Sequence, residues 1–456
     1  MNNLCNKRAL IVIGFFCTGI LPLSVSAQYM TGKGNDATAP LHLMKPAYTV
    51  PYGETTPQKV TAVLKRVYQY LNGVTPFQLV DKTSSQVVND IHTANSNTIF
   101  KPGDFRLLSY EWGVTYTGML EAGAATGDTS FTNYTLNRVN FIGAVTNRYR
   151  KYVQENKGAA TPVRSVLTPH ALDDAGAIAA SMIKAIRNGA DATLVRPMVD
   201  NYLTYIMTKE FRLKDGTLAR NRPQPNTLWL DDLYMSLPAI AQMGVLTGNK
   251  TYYTEALKQY HQFASRMFNK EKGLYMHGWV QDMDPHPQFH WARANGWALM
   301  TKIELLDALP DNYPGRSEVL QMLKLHVAGL AERQDKTGFW HQLLDKNDSY
   351  LETSATAIYA YCIARAINKG WLDAKAYGPM VLLAWNAVST QVTENGQVQN
   401  TCVGTGMGFD PAFYYYRPVS NYAAHGYGPL LLAGAEILRL LQKHPFELND
   451  SAVQMK

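Results

Sequence analysis

At 456 residues, 46% of them hydrophobic and 11% aromatic, the chain can bury a large core, which excludes a disordered tail or a disulfide-stapled miniature. The net charge is +7, yet only 17% of residues are charged and no long basic run occurs, which excludes the concentrated patch of a nucleic-acid-binding protein. A mildly positive surface suits an acidic substrate.

In chain order, the first segment reads as a signal peptide over residues 1–27. Lys7 and Arg8 give the positive region, Ala9 to Leu23 the apolar stretch, and Val25-Ser26-Ala27 a small-residue cleavage site. The apolar core is short for spanning and no second one follows, so no membrane insertion is expected after cleavage. Cys17 follows Phe15 and Phe16 rather than a small-residue box, which argues against lipidation. Export, most plausibly to a periplasm, is the expectation. The mature chain keeps Cys362 and Cys402; whether they pair is open, and no spacing resembles a zinc or iron–sulfur site.

A polar lead-in over residues 28–56 precedes a catalytic domain expected over 57–456. There, amphipathic stretches recur at helical spacing: Gln58 to Leu71, Phe131 to Val153, Ala175 to Ala185, Pro197 to Thr208 and Tyr252 to Phe268, then Trp297 to Leu309, Glu318 to Arg333, Ala355 to Ile367 and Pro429 to Leu441. No long alternating β-branched run and no Gly-rich strand-turn-helix competes, which argues against a nucleotide-binding α/β enzyme. At roughly 35 residues per helix and loop, the chain holds about a dozen helices, enough for an all-α toroid of six hairpins. A solenoid would show self-similar blocks, and none is seen. The low charge content fits an inner ring of helices buried nearly all round.

Two acidic pairs stand out, Asp173-Asp174 and Asp231-Asp232. Each opens an apolar helical stretch, where capping of backbone N–H groups is the simple structural role. The second pair lies among Trp229, Leu230, Leu233, Tyr234 and Met235, so at least one acid faces desolvation, which raises a carboxyl pKa and makes a proton donor. Downstream, His277-Gly278-Trp279 precedes His290-Trp291-Ala292-Arg293-Ala294-Asn295-Gly296-Trp297. Trp291 and Trp297 offer sugar-stacking faces and Arg293 a guanidinium suited to a carboxylate; the alternative is a buried belt in which Arg293 meets an internal acid. Glu352 and Thr353 fit the start of a helix better than catalysis, and His425 fits a core histidine.

These segments, with Trp112-Gly113-Val114, Leu172-Asp173-Asp174-Ala175-Gly176, Glu352-Thr353-Ser354-Ala355-Thr356-Ala357 and His425-Gly426-Tyr427-Gly428-Pro429, give a chain that resembles the unsaturated uronyl hydrolases of glycoside hydrolase family 105. The resemblance runs from about Gln58 to Leu441. It implies an (α/α)6 barrel with its site at one end of the central cavity and no metal or organic cofactor. It also implies chemistry at a C4=C5 double bond: an Asp protonates C4, water adds at C5, and the hemiketal opens with loss of the glycosidic bond.

By that resemblance the acid falls on Asp231, because Trp229 and Met235 match the family's pocket residues. Its partner falls on Asp173 or Asp174, the Asp-x-Gly spacing to Gly176 favouring Asp174. His277, Trp291, Arg293 and Trp297 match substrate-binding positions, as do Trp112, Thr405 and Gly406. Where some relatives carry a His-Lys pair, this chain has Arg220 and Arg222, either near the substrate carboxylate or on the rim. The implied partner is an unsaturated oligosaccharide. Two other readings compete: an inverting glycosidase on saturated sugars, with two carboxyls roughly 6.5–9.5 Å apart, and a non-catalytic glycan-binding protein.

Overall fold

The computed structural model describes Gly53, Thr55 to Asn449 and Ala452 to Met455; the signal peptide and most of the lead-in lie outside these residues. Helix α1 (Pro57–Val74) shows how an outer element forms. The Thr56 side chain caps it by accepting from the Lys59 N–H, and proline occupies the first turn. Val60, Val63, Leu64, Val67 and Leu71 then repeat at three- and four-residue spacing, burying one stripe. Helix α2 (Tyr110–Thr126) has no stripe, since every residue from Trp112 to Leu120 is buried.

The pattern then alternates through α3 (Thr129–Glu155), the short α4 (Arg164–Leu167), α5 (Leu172–Arg187), α6 (Ala192–Thr204), α7 (Leu237–Thr247) and α8 (Lys250–Met267). It continues through α9 (Ala292–Ala308), α10 (Arg316–Ala331), α11 (Thr353–Asn368), α12 (Ala374–Ser389), the short α13 (Pro411–Tyr415) and α14 (Tyr427–Lys443). Helices α2, α5, α7, α9, α11 and α14 pack in sequence, and α14 returns to α2, closing an inner ring. Outside it, α3 lies on α2, α6 on α5, α8 on α7, α10 on α9, α12 on α11 and α1 on α14. This is the expected (α/α)6 barrel.

Glycine permits the closest approach between inner elements. A Cβ on Gly176 of α5 would stand 1.6 Å from the Met235 carbonyl oxygen, so only hydrogen fits where α5 meets the turn that leads into α7. Short antiparallel ladders decorate the end where the inner helices begin. Thr227–Trp229 pairs with Gly278–Val280, Trp229 lying opposite Gly278. Trp340–His341 pairs with Leu351–Glu352.

Boundaries differ from the sequence pattern in places. The stretch from Pro197 begins earlier, at Ala192, because Asp191 caps it through the Thr193 N–H; Pro197 lies inside, and after Thr204 the chain widens into a π-turn over Tyr205–Lys209. The stretch from Trp297 likewise starts at Ala292. Cys362 and Cys402 are both buried, free thiols. Among the described residues no helix is long and apolar enough to cross a membrane, and no group of three or more His, Cys, Asp or Glu is arranged to hold a metal.

Candidate active site

The N-termini of the inner helices meet at one mouth of the barrel, bringing backbone N–H groups and the positive ends of their dipoles together. Contacts across that mouth tie the helices to one another. Tyr110 of α2 bonds His425, just before α14, at 2.7 Å. Arg293 of α9 donates to the Ser354 hydroxyl of α11 at 3.2 Å.

Asp231 sits on a 3-10 turn, Leu230–Leu233, that leads into α7. The ladder sets its partner: the Leu230 N–H donates to the His277 carbonyl at 2.8 Å, so His277 follows directly beside it. The His277 ring, fully buried, bonds Asp231 Oδ2 through Nε2 at 3.0 Å and the Tyr414 hydroxyl through Nδ1 at 2.8 Å. Burial pushes the Asp231 carboxyl up, but the adjacent His277 and the charge of Arg220 outweigh it and hold the group below the ordinary carboxylate range.

The neighbouring acid is handled differently. Asp232 is fully buried, and burial pushes its carboxyl up to about 6, against the pull of Arg220. Arg220 reaches it because the Arg220 and Thr227 backbones pair across a tight hairpin. The same guanidinium forms a bidentate pair with Asp173, at 2.9 and 3.0 Å. Arg220 therefore bridges two acids, and its side chain is only 7% exposed. Arg222 is 57% exposed on the rim, 3.4 Å from Asp173.

The two members of the first acidic pair point apart. Asp173 joins the Arg220 cluster, whereas Asp174 bonds the His170 ring at 2.6 Å, outside it. The structure thus brings Asp173 towards Asp231 and Asp232, and leaves Asp174, which the Asp-x-Gly spacing favours, on the outer side.

Trp229 is half-buried between the guanidinium groups of Arg220 and Arg222, 4.4 and 4.9 Å from its ring. A Cβ on Gly406 would stand 3.5 Å from that ring, which puts the Thr405-Gly406 loop beside it. Thr405 donates to the Val403 carbonyl at 2.9 Å and accepts from Arg417 at 3.2 Å. Met407 packs so closely on Gly278 that a Cβ there would lie 1.6 Å from its sulfur. Met235 is buried behind the acid.

Three sequence expectations change in form. Trp291 and Trp297 are each 1% exposed, so neither offers an open stacking face. Trp291 lies between His277 and Arg293, and Trp297 stacks on Tyr234 at 5.1 Å. Arg293 is not free for a ligand carboxylate: it donates to the Cys402 and Val403 carbonyls, both at 2.7 Å, and stands 4.0 Å from Glu352. Arg293 thereby fixes the loop that carries Thr405 and Gly406. Trp112 is fully buried and stacked on Phe105. Glu352 caps α11, accepting from the Ser354 and Ala355 N–H groups.

Sequence reasoning passed over Tyr110, Glu111 and Tyr414. Tyr414 backs His277, and burial pushes its hydroxyl well up. Glu111 Oε1 lies 3.7 Å from His425 Nε2, while Glu111 Oε2 and His425 Nδ1 have no hydrogen-bond partner among the described residues. The available signal was the position of Tyr110-Glu111 directly before Trp112-Gly113, the start of an inner helix.

The profile of Glycosyl Hydrolase Family 88 matches residues 80–441. The unsaturated rhamnogalacturonyl hydrolase YesR of Bacillus subtilis is 28% identical over 241 residues, 52% of this chain and 68% of that protein. An unsaturated 3S-rhamnoglycuronyl hydrolase of Formosa agariphila is 29% identical over 223 residues, 46% of this chain and 58% of that one. In fold, the chain is similar to a Salmonella enterica protein described as a possible member of the GH105 family, with TM-score 0.66 and 24% identity, covering 88% of this chain and 97% of that one.

Proposed function

Because the chain belongs to Glycosyl Hydrolase Family 88 and so is a glycoside hydrolase, we propose that it removes a 4,5-unsaturated uronic acid, galacturonyl or glucuronyl, from the non-reducing end of lyase-generated oligosaccharides. One observation carries this reading: of Asp173, Asp231 and Asp232, Asp231 is the one left without an arginine pair. Asp173 and Asp232 are both engaged by Arg220, whereas Asp231 is held only by His277. Hydration of an enol ether needs one group that gives a proton and takes one back.

Asp231 fills that role in the proposal. Its carboxyl proton passes to C4 of the unsaturated ring, and water attacks C5 while its proton returns to Asp231. The C5 hemiketal then opens to a ketone, and the hemiacetal left at C1 releases the leaving sugar. In the empty site Asp231 is held in its ionised form, by His277 above all. A uronate carboxylate brought beside it raises the pKa through like-charge repulsion, so binding of the anionic substrate draws a proton from solvent onto Asp231. The converging helix N-termini favour that anion.

The remaining roles follow from position. His277 and Tyr414 orient the acid; Trp229, Thr405 and Gly406 wall the sugar pocket; and Met235, Arg293, Trp291, Trp297 and Trp112 support it from beneath. Asp173 is the partner acid in this reading, positioned through Arg220. The signal-like N-terminus supports action after export, on small products of extracellular lyases.

The test is ultraviolet absorbance of the conjugated enol carboxylate while the protein meets a lyase-treated rhamnogalacturonan and a Δ4,5-glucuronyl disaccharide. Decay with either substrate is the expected result, and the faster one identifies the sugar class. Stable absorbance with both, alongside cleavage of saturated oligosaccharides, would overturn the reading.

A further inference from the structure

Beside the acid cluster, a cavity of about 290 Å³ is bounded by Arg106, Glu111, Gly404, Tyr422 and His425. It shares Asp104, Phe105 and Arg106 with a second cavity of about 520 Å³ that runs on to Arg164 and His170. The two cavities adjoin along this shared segment and are together termed the furrow. At its near end lie the starts of α2 and α14, and at its far end His170 holds Asp174.

The larger cavity is electrostatically one-sided. Lys101, Arg106, Arg164 and His170 line it, and its single carboxylate, Asp104, is engaged by the Tyr70 hydroxyl at 2.8 Å. Arg106 and Arg164 are exposed and have neither an ion pair nor a side-chain hydrogen bond among the described residues. Phe100 and Leu108 supply apolar wall between them. Unpaired guanidinium groups beside an apolar wall match a sugar ring that carries a carboxylate or sulfate. In the nearer cavity Tyr422, 61% exposed, offers the open aromatic face that Trp291 and Trp297 do not.

From this we infer that the furrow holds the leaving portion of the substrate, and that the enzyme is built for oligosaccharides with a second anionic sugar beyond the bond broken. This rests on the hydrolase reading above and adds to it a substrate class: acidic oligosaccharides longer than a disaccharide. Arg106 and Arg164 are the specificity-determining residues.

The experiment compares an unsaturated uronyl disaccharide with the tetrasaccharide of the same repeat, whose third sugar carries a carboxylate, on the wild type and on Arg106→Gln/Arg164→Gln. The wild type should show the lower KM for the tetrasaccharide. The double variant should raise that KM about tenfold, the size of losing a charge-assisted contact, and leave the disaccharide unchanged. Added salt should weaken tetrasaccharide binding selectively. Both arginines are exposed, so the thermal midpoint should hold. Equal KM for the two substrates, or an unchanged tetrasaccharide KM in the variant, would overturn the inference while leaving the hydrolase reading intact. No turnover of either substrate by the wild type would instead remove the hydrolase reading, and this inference with it.

Discussion

At the mouth where the inner helices end, Lys184 meets Glu304, and Arg365 gathers Asp307, Glu121 and Glu436, with Arg439 and Lys369 closing the network. At the mouth where they begin, Asp173 and Asp232 share Arg220, while Asp231 and Asp174 have only histidines. Helix C-termini carry partial negative charge, so carboxylates there require cations beside them; N-termini carry the opposite sign and tolerate acids with fewer. One barrel therefore has a neutralised end that holds it together and an under-neutralised end where a proton can be moved.

The largest effect should come from the acid that lacks an arginine. Asp231→Asn removes a transferable proton with little change in volume, and kcat/KM should fall about a hundred- to ten-thousand-fold at an unchanged thermal midpoint. A loss below about tenfold in steady-state assays would take Asp231 out of its role.

Next, Arg220→Met strands the buried Asp232, whereas Arg365→Met leaves Glu436 its pair with Arg439 and its bond from Asn368. The Arg220 variant should lose about 3–5 kcal/mol in denaturant titrations and the Arg365 variant less. Only the Arg220 variant should also lose activity per folded molecule. Equal specific activities would erase the distinction between the two ends.

The smallest effect concerns pH. His277→Gln removes the main group holding the Asp231 carboxyl down, so the alkaline limb of the pH–rate profile, where the proton donor is lost, should move to higher pH. The stability sign is the same: a depressed carboxyl contributes stability above its unfolded pKa and loses it as pH falls through the folded one. That acid-side loss should shrink in the variant, and an unmoved pH–rate profile would count against the Asp231–His277 pairing.

Much of this was legible because it lies in local chain chemistry. The number of helical stretches and the low charge content fitted a double ring, which the resemblance implied, and Glu352 with Thr353 read as the start of a helix. Apolar company marked the pair Asp231-Asp232 and the resemblance chose Asp231 within it, while the carboxyl that burial raises is that of Asp232. What could not be read depends on rotation and on return of the chain. Adjacent residues on a helix point about 100° apart, so Asp173 and Asp174 look alike in sequence yet face the cluster and His170 respectively. Arg220 bridges two acids only because a hairpin folds it back onto Thr227. The tryptophans at 291 and 297 have the composition of a sugar platform, but the inner ring buries them, and exposed Tyr422 comes from a loop with no such signature.

The ring closes where α14 meets α2, and the Tyr110–His425 bond crosses that junction between residues 315 positions apart. Contacts so distant along the chain are the costliest in loop entropy and form late in folding. One wall of the catalytic mouth is thus the seam of a circular wall whose two edges come from opposite ends of the polypeptide. A variant loosened at either end is therefore expected to lose activity at a lower denaturant concentration than it loses helical circular dichroism.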